Sequence, residues 1–229
     1  MTTLTVADCG DSALRVASCA ATPDERWEEV RRLATALTAV TAPGVHGAIA
    51  TYDAALIEFD CAITTHAEVR RIVDALATAS VPEERKPRAF EIPVVYGGEY
   101  GPDLDVVASL LGIGCDDVIA LHCAEPLTMR CFGSPGGAPM LDGPAFPQPI
   151  PRLASPRPKV AAGAVAVAGR QAVVSARPAP GGWQVLGRTP LDLVDIAAQP
   201  LSPFAPGDTF RFFPIEESAW TRYEGQVHG

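Results

Sequence analysis

The stretch KVAAGAVAVAGRQAVVSARPAPGGWQVLGR, residues 159–188, decides how most of this chain folds. Its apolar residues come in short runs of valine and alanine. Glycine or proline cuts off each run before a helical period can establish itself. Such runs suit strands, whose side chains alternate from face to face. Closely spaced turns between short β-type runs point to a closed or nearly closed β-barrel. The same texture begins near Met129 and returns in TFRFFPI, Thr209–Ile215. Within the stretch, Gly181 and Gly182 stand directly before Trp183, and Gly-Arg-Thr-Pro follows from Gly187. That segment is either a hairpin stapled by an aromatic ring or the wall of a binding site.

The first third of the chain reads differently. LRVAS, Leu14–Ser18, is a strand signal after a turn at Gly10-Asp11. Thr22-Pro23-Asp24-Glu25 is a capping box with proline at the first helical position. The helix it opens carries Trp27, Val30, Leu33, Leu37 and Val40 at helical spacing, and Pro43-Gly44 ends it. HGAIATYD and AALIEFD read as two strands around Asp53-Ala54. Thr65-His66-Ala67-Glu68 is a second capping box, leading into Val69, Ile72, Val73 and Leu76. Together these make a small α+β sandwich with helices on one face of an antiparallel sheet. The charged, proline-bearing segment Ser80–Phe90 reads as a linker. The expected fold is therefore α+β, with an N-terminal α+β domain at 1–84 and a barrel domain at 85–229. After the linker, FEIPVVYG starts a strand, Asp103 caps the helix LDVVASLLG, and Asp116-Asp117 starts the helix VIALHC. The polar tail after Glu217 is expected to fray, with Trp220 available to dock it.

Composition narrows the partners. The 229 residues are 48% hydrophobic and 20% charged, with a formal net charge of -9 and a pI of about 4.9. A field of that sign repels phosphate backbones and anionic lipid, so neither nucleic acid nor a membrane is an expected partner. An anionic small molecule remains compatible, because a site can be locally basic. MTTLTVADCGDS has no basic region followed by an apolar run, so a signal peptide is not expected. No apolar stretch reaches the roughly 20 residues of a membrane span, and a cytoplasmic location is expected. The 6 cysteines form no C-x-x-C pair and read as reduced, mostly buried thiols. His122-Cys123 has no second ligand pair at a fitting spacing, so no metal ligand motif is present.

Familiar catalytic motifs are absent: Gly97-Gly98 leads to no P-loop, GIGCDD to no dinucleotide fingerprint, and no nucleophile elbow occurs. A set of polar residues remains. His122, at the end of an apolar helix, reads as a packed or capping residue. Arg152 and Arg157 each follow a proline in PRLASPRPKV. They are rigid clamps for a carboxylate or phosphate, or surface arginines in a loop. Gln171 follows the turn at Gly169. Gly181 and Gly182 offer backbone N–H groups to an anion, or form a turn or bulge.

These segments resemble a known family. GDSALRV, EIPVVYGGEYGPDLDVVASLLG, VIALH, PRLASPR, AAGAVAVAGRQ, PAPGGWQVLGRTPLDL and PFAPGDTFRFFPI are similar, in order, to the B component of bacterial 5-oxoprolinase. That family includes the KipI inhibitor of a sporulation kinase and often carries the name allophanate hydrolase subunit 1. The resemblance covers Gly10 to Ile215. It implies a cyclophilin-like C-terminal barrel. It implies a heteromer with the C component of that enzyme, whose barrel is related, and a separate A component. It also implies ATP as co-substrate in opening the lactam of 5-oxo-L-proline to L-glutamate. It implies a catalytic role for His122, Arg152 and Arg157, and substrate binding by Gln171, Gly181, Gly182, Trp183 and Arg188. A KipI-like regulator of a sensor histidine kinase and an allophanate- or urea-type amide hydrolase component are the alternatives it carries. Ser134, Ala138, Met140 and Ser175 depart from the family pattern by replacing aromatic residues, which implies a wider pocket.

Overall fold

Both capping boxes form as read, and each starts a helix. The computed structural model describes residues 3–78, 85–133 and 136–226. The Thr22 hydroxyl accepts from the Glu25 amide at 3.2 Å, and the Glu25 carboxylate accepts from the Thr22 amide at 2.9 Å. Thr65 and Glu68 repeat the exchange at 3.3 and 2.9 Å. Orphan amides at each helix start are thereby satisfied locally, which holds the carboxylates of Glu25 and Glu68 below the usual carboxylate range. The chain divides into two compact units, Met1–Lys86 and Pro87–Gly229.

In the first unit, strands β1 (Leu4–Asp8), β2 (Ala13–Ser18), β3 (Val45–Ala50) and β4 (Ala54–Phe59) accompany helices α1 (Pro23–Thr38) and α2 (His66–Leu76). The sheet order is β1-β2-β4-β3, antiparallel throughout. Leu14 and Val16, with Ile57 and Phe59, meet Leu33, Leu37, Val69 and Val73 from the helices. The strand β1 carries no clear signal in the sequence, because its residues are only half-buried or exposed.

The second unit contains β5 (Ala89–Tyr96), α3 (Leu104–Leu111), α4 (Cys115–Cys123), β6 (Leu127–Gly133), β7 (Ala138–Asp142) and β8 (Arg157–Val160). It continues with β9 (Ala164–Ala168), β10 (Gln171–Val174), β11 (Ala179–Gly181), β12 (Gln184–Arg188), β13 (Thr209–Pro214), a 3-10 turn at Glu217–Ala219 and α5 (Trp220–Tyr223). Seven strands close a barrel in the order β10-β7-β6-β13-β5-β12-β9. Alternation supplies its filling: Ile92 and Val94, Val165 and Val167, Ala172 and Val174, Phe210 and Phe212 all point inward. The expected α+β class and barrel are present.

β9 is buried on both faces, which explains its composition. Val165 and Val167 fill the barrel. Ala164 and Ala166 face the other way and form a second cluster with Val185, covered by Val160, Val173 and Trp183. Alanine there leaves room for the two-stranded β8–β11 sheet to approach.

Three local readings are corrected. Asp103 precedes α3 but makes no side-chain cap; its carboxylate is engaged elsewhere. The segment after Glu217 is folded as far as Gln226, whose carbonyl accepts from the Asp192 amide at 2.8 Å. The cysteines are free thiols but not mostly buried: Cys9, Cys19 and Cys61 are exposed and only Cys131 is fully buried. Of the linker segment, residues 80–84 lie outside the described residues, and β5 begins at Ala89. Among the described residues, no helix is long and apolar enough to cross a membrane.

Candidate functional site

A cavity of about 440 Å³ lies on the outside of the barrel unit, lined by Glu99, Tyr100, Arg157, Lys159 and Arg188 with apolar neighbours Val160, Ala164 and Val185. Its rim is built by a glycine-dependent loop. Gly97 and Gly98 both take positive φ, 68° and 53°. Gly101 presses so close to β12 that a Cβ would stand 1.9 Å from the Leu186 carbonyl oxygen. Only glycine lets the loop dock there, through Gly97 N–H to Leu186 O at 3.0 Å and Asp103 N–H to Val185 O at 3.1 Å.

Asp103 anchors Arg157 from outside the lining. Its Oδ1 accepts from Arg157 at 2.6 Å and its Oδ2 from Arg157 at 2.9 Å, a bidentate pair. Oδ2 also accepts from the Val185 amide at 2.7 Å. The Asp103 side chain is 5% exposed and that of Arg157 31%. Arg157 is therefore oriented toward the cavity with its charge compensated. Arg188 is held differently: its Nε donates to the Ala162 carbonyl at 2.8 Å, and its guanidinium carbon lies 5.2 Å over the Trp220 ring. Lys159 sits in the same wall. Tyr100 donates to Glu217 at 3.0 Å, and that bond to a carboxylate raises its phenol above the ordinary range.

Of the sequence-derived candidates, Arg157 and Arg188 meet at this cavity; the others do not line it. Arg152 is exposed, its guanidinium carbon 5.7 Å over the Trp183 ring. Gly182 accepts from the Leu153 amide at 2.8 Å, and Gln184 donates to the Pro151 carbonyl at 3.1 Å. Gly181 pairs with Arg157 across β11–β8, where a Cβ would crowd Val160 at 2.9 Å. The glycine pair thus docks the Pro151–Leu153 loop through a carbonyl and lets two strands close together. Gln171 opens β10 opposite Asp142 and Ala168. Ala138 and Met140 belong to β7, and Ser175 closes a turn through Ala164 O and Gly163 N–H. None of the three is in the cavity wall, and Ser134 lies outside the described residues.

His122 ends α4 inside the barrel unit with no exposed surface. Its Nδ1 is 2.7 Å from the Tyr96 hydroxyl, and its ring packs 4.5 Å from that of Phe212. Nε2 has no hydrogen-bond partner among the described residues. Burial lowers its pKa to about 3, so the imidazole is neutral near neutral pH. Burial likewise pushes up the Tyr96 phenol and the Cys123 thiol, whose sulfur lies 3.4 Å from the Tyr96 oxygen. The sequence carries no site motif around Glu99, Tyr100 or Lys159, which line the cavity, nor around Trp220, which stacks on Arg188. Lys159 alone carried a local signal, two residues beyond Arg157 on one strand and so on the same face.

Solved structures share this fold. The protein TTHA0988 superposes with a TM-score of 0.77 at 31% identity, over 89% of this chain and 40% of that one. The Kluyveromyces lactis urea carboxylase superposes with a TM-score of 0.78 over 96% of this chain and 22% of its own, a likeness of fold alone at 18% identity. Residues 4–204 match the carboxyltransferase domain, subdomain C and D, and the chain belongs to that family. A curated relative, the B component of 5-oxoprolinase from Bacillus subtilis, is 37% identical over 155 residues. That alignment takes in 68% of this chain and 65% of the relative, so the chain spans less than two thirds of the relative's length.

Proposed function

We propose that this chain belongs to a multi-component, ATP-dependent amide hydrolase as the counterpart of the 5-oxoprolinase B component, opening 5-oxo-L-proline to L-glutamate together with a homologue of the C component. The observation that carries the reading is the cavity. In a chain of net charge -9, Arg157, Lys159 and Arg188 converge on one hollow. An amide carbonyl is a poor electrophile, and ATP would supply the phosphoryl group that makes its oxygen a leaving group. Both the substrate carboxylate and the phosphorylated intermediate call for fixed cationic donors. Arg188 and Lys159 supply them, while Arg157, held by Asp103, gives the wall its shape and a share of its field. Arg152, stacked on Trp183, is a second exposed cation for an anionic group. His122, neutral and sealed, braces Tyr96 in this reading and does not shuttle protons.

The test is reconstitution with homologues of the A and C components, following glutamate release from 5-oxoproline with ATP. Arg188→Ala is expected to lower kcat/KM by about 10²-fold, the loss of an oriented charge-assisted contact. A complex that forms but never turns over 5-oxoproline rejects the substrate. Failure to form a heteromer by size exclusion at micromolar concentration rejects the partner.

A further inference from the structure

Trp220 and Glu217 belong to no motif that marks a site, yet both grip residues of the cavity wall. Arg188 has two constraints and one freedom. Its Nε is committed to the Ala162 carbonyl at 2.8 Å. One face of its guanidinium is covered by the Trp220 ring at 5.2 Å. Its two terminal amino groups make no hydrogen bond among the described residues. Tyr100 is constrained from the same side, with its ring 5.1 Å from that of Trp220 and its hydroxyl donating to Glu217 at 3.0 Å. The segment itself is braced: the Trp220 indole N–H donates to Glu224 at 3.3 Å, and Phe213 packs against Tyr223 at 6.2 Å.

We infer that the Glu217–Tyr223 segment, outside the lining of the anion cavity, backs two of its wall residues, and that Trp220 sets the guanidinium of Arg188 to receive a carboxylate or phosphate group. The inference rests on the reading of this cavity as the anion-holding site. A guanidinium is planar, and its two terminal amino groups match the two oxygens of a carboxylate or phosphate. That match is useful only when the plane is fixed. A free arginine side chain loses rotamer freedom on binding; one already stacked and hydrogen-bonded through Nε loses less. The indole face serves because its quadrupole attracts the cation without occupying any N–H. A carboxylate in that place would orient the arginine equally well and neutralise it, as Asp103 does for Arg157. Lys159, whose ammonium meets no carboxylate among the described residues, faces the same hollow as a second charge. Trp220 is a positioning residue, acting through Arg188.

The full chain is titrated with inorganic phosphate and, separately, with 5-oxo-L-proline, by calorimetry. Arg188→Ala is expected to weaken the tighter probe at least about tenfold. Trp220→Leu, which keeps bulk without a π face, is expected to weaken it about fivefold, and Trp220→Phe to stay within about twofold of the wild type. Trp220→Leu added to Arg188→Ala is expected to have no further effect, which a merely structural role would not produce. Weakening by Arg188→Ala with full affinity in Trp220→Leu overturns the inference and leaves the cavity reading standing. Full affinity in Arg188→Ala, or no binding of either probe to the wild type, overturns the cavity reading and the inference with it. Coupled weakening in a protein whose complex never opens 5-oxoproline sustains the inference and rejects only the lactam as substrate.

Discussion

Asp103 and His122 are both buried polar side chains of the barrel unit, and they are treated in opposite ways. Asp103 meets three donors, two from Arg157 and one from the Val185 amide. His122 meets one hydroxyl, has an Nε2 without a partner among the described residues, and packs on the Phe212 ring. Burying a charge is tolerable when a partner of opposite sign is already in place. Burying an imidazole without one keeps it neutral. The first arrangement makes a rigid wall beside a cavity, and the second makes a core residue with a polar edge.

The sharpest way to break the contrast is Asp103→Ala. It strands the Arg157 guanidinium and the Val185 amide together, so a loss of about 3 to 5 kcal/mol in urea unfolding is expected. An unchanged midpoint would mean that the pair carries no structural load. Arg157→Ala should also destabilise, by less, because water can then reach the Asp103 carboxylate. It follows that activity lost in Arg157→Ala mixes stability with function, whereas Arg188→Ala is the cleaner probe.

Acid should probe the second centre. The folded pKa of His122, about 3, lies below the ordinary value of 6.5, so between these pH values the unfolded chain binds the extra proton. Its stabilising contribution is complete above about pH 6.5 and is lost as the pH falls toward 3, with a limiting slope of about 1.4 kcal/mol per pH unit. Tyr96 and Cys123, its polar neighbours, are shifted upward and do not titrate there. From pH 6.5 to pH 5 the wild type is expected to lose about 2 kcal/mol that His122→Gln does not lose. Parallel pH profiles for the two proteins would show that the imidazole is reached by water.

Arg152→Ala should have the smallest effect. Its guanidinium is exposed over Trp183, and an exposed cation–π contact is worth about 0.5 to 1 kcal/mol. Thermal unfolding close to wild type, set against a marked loss for Arg157→Ala, would separate the two proline-linked arginines that look alike in sequence. Equal losses would show that Arg152 has a buried partner too.

What the sequence determined by itself was local. Thr22 with Glu25 and Thr65 with Glu68 announce their helices because the capping exchange spans three residues. Short Val/Ala runs between glycines announce a barrel because strand alternation needs only a few residues to show itself. β1 leaves a weaker mark, because in this short edge strand only Leu4 and Val6 turn to the core, and both are only half-buried. Asp103 stands where a helix cap belongs, and only the folded chain shows it answering Arg157, 54 residues away. The cavity was equally out of reach. Its lining residues Tyr100, Lys159 and Arg188 come from a loop and two strands, and the Trp220 that stacks on Arg188 comes from a short helix; no spacing along the chain encodes their meeting. Capping and alternation are short-range and leave a mark in neighbouring residues; ion pairing and ring stacking act through space, so the tertiary structure alone decided which charges were compensated and which were not.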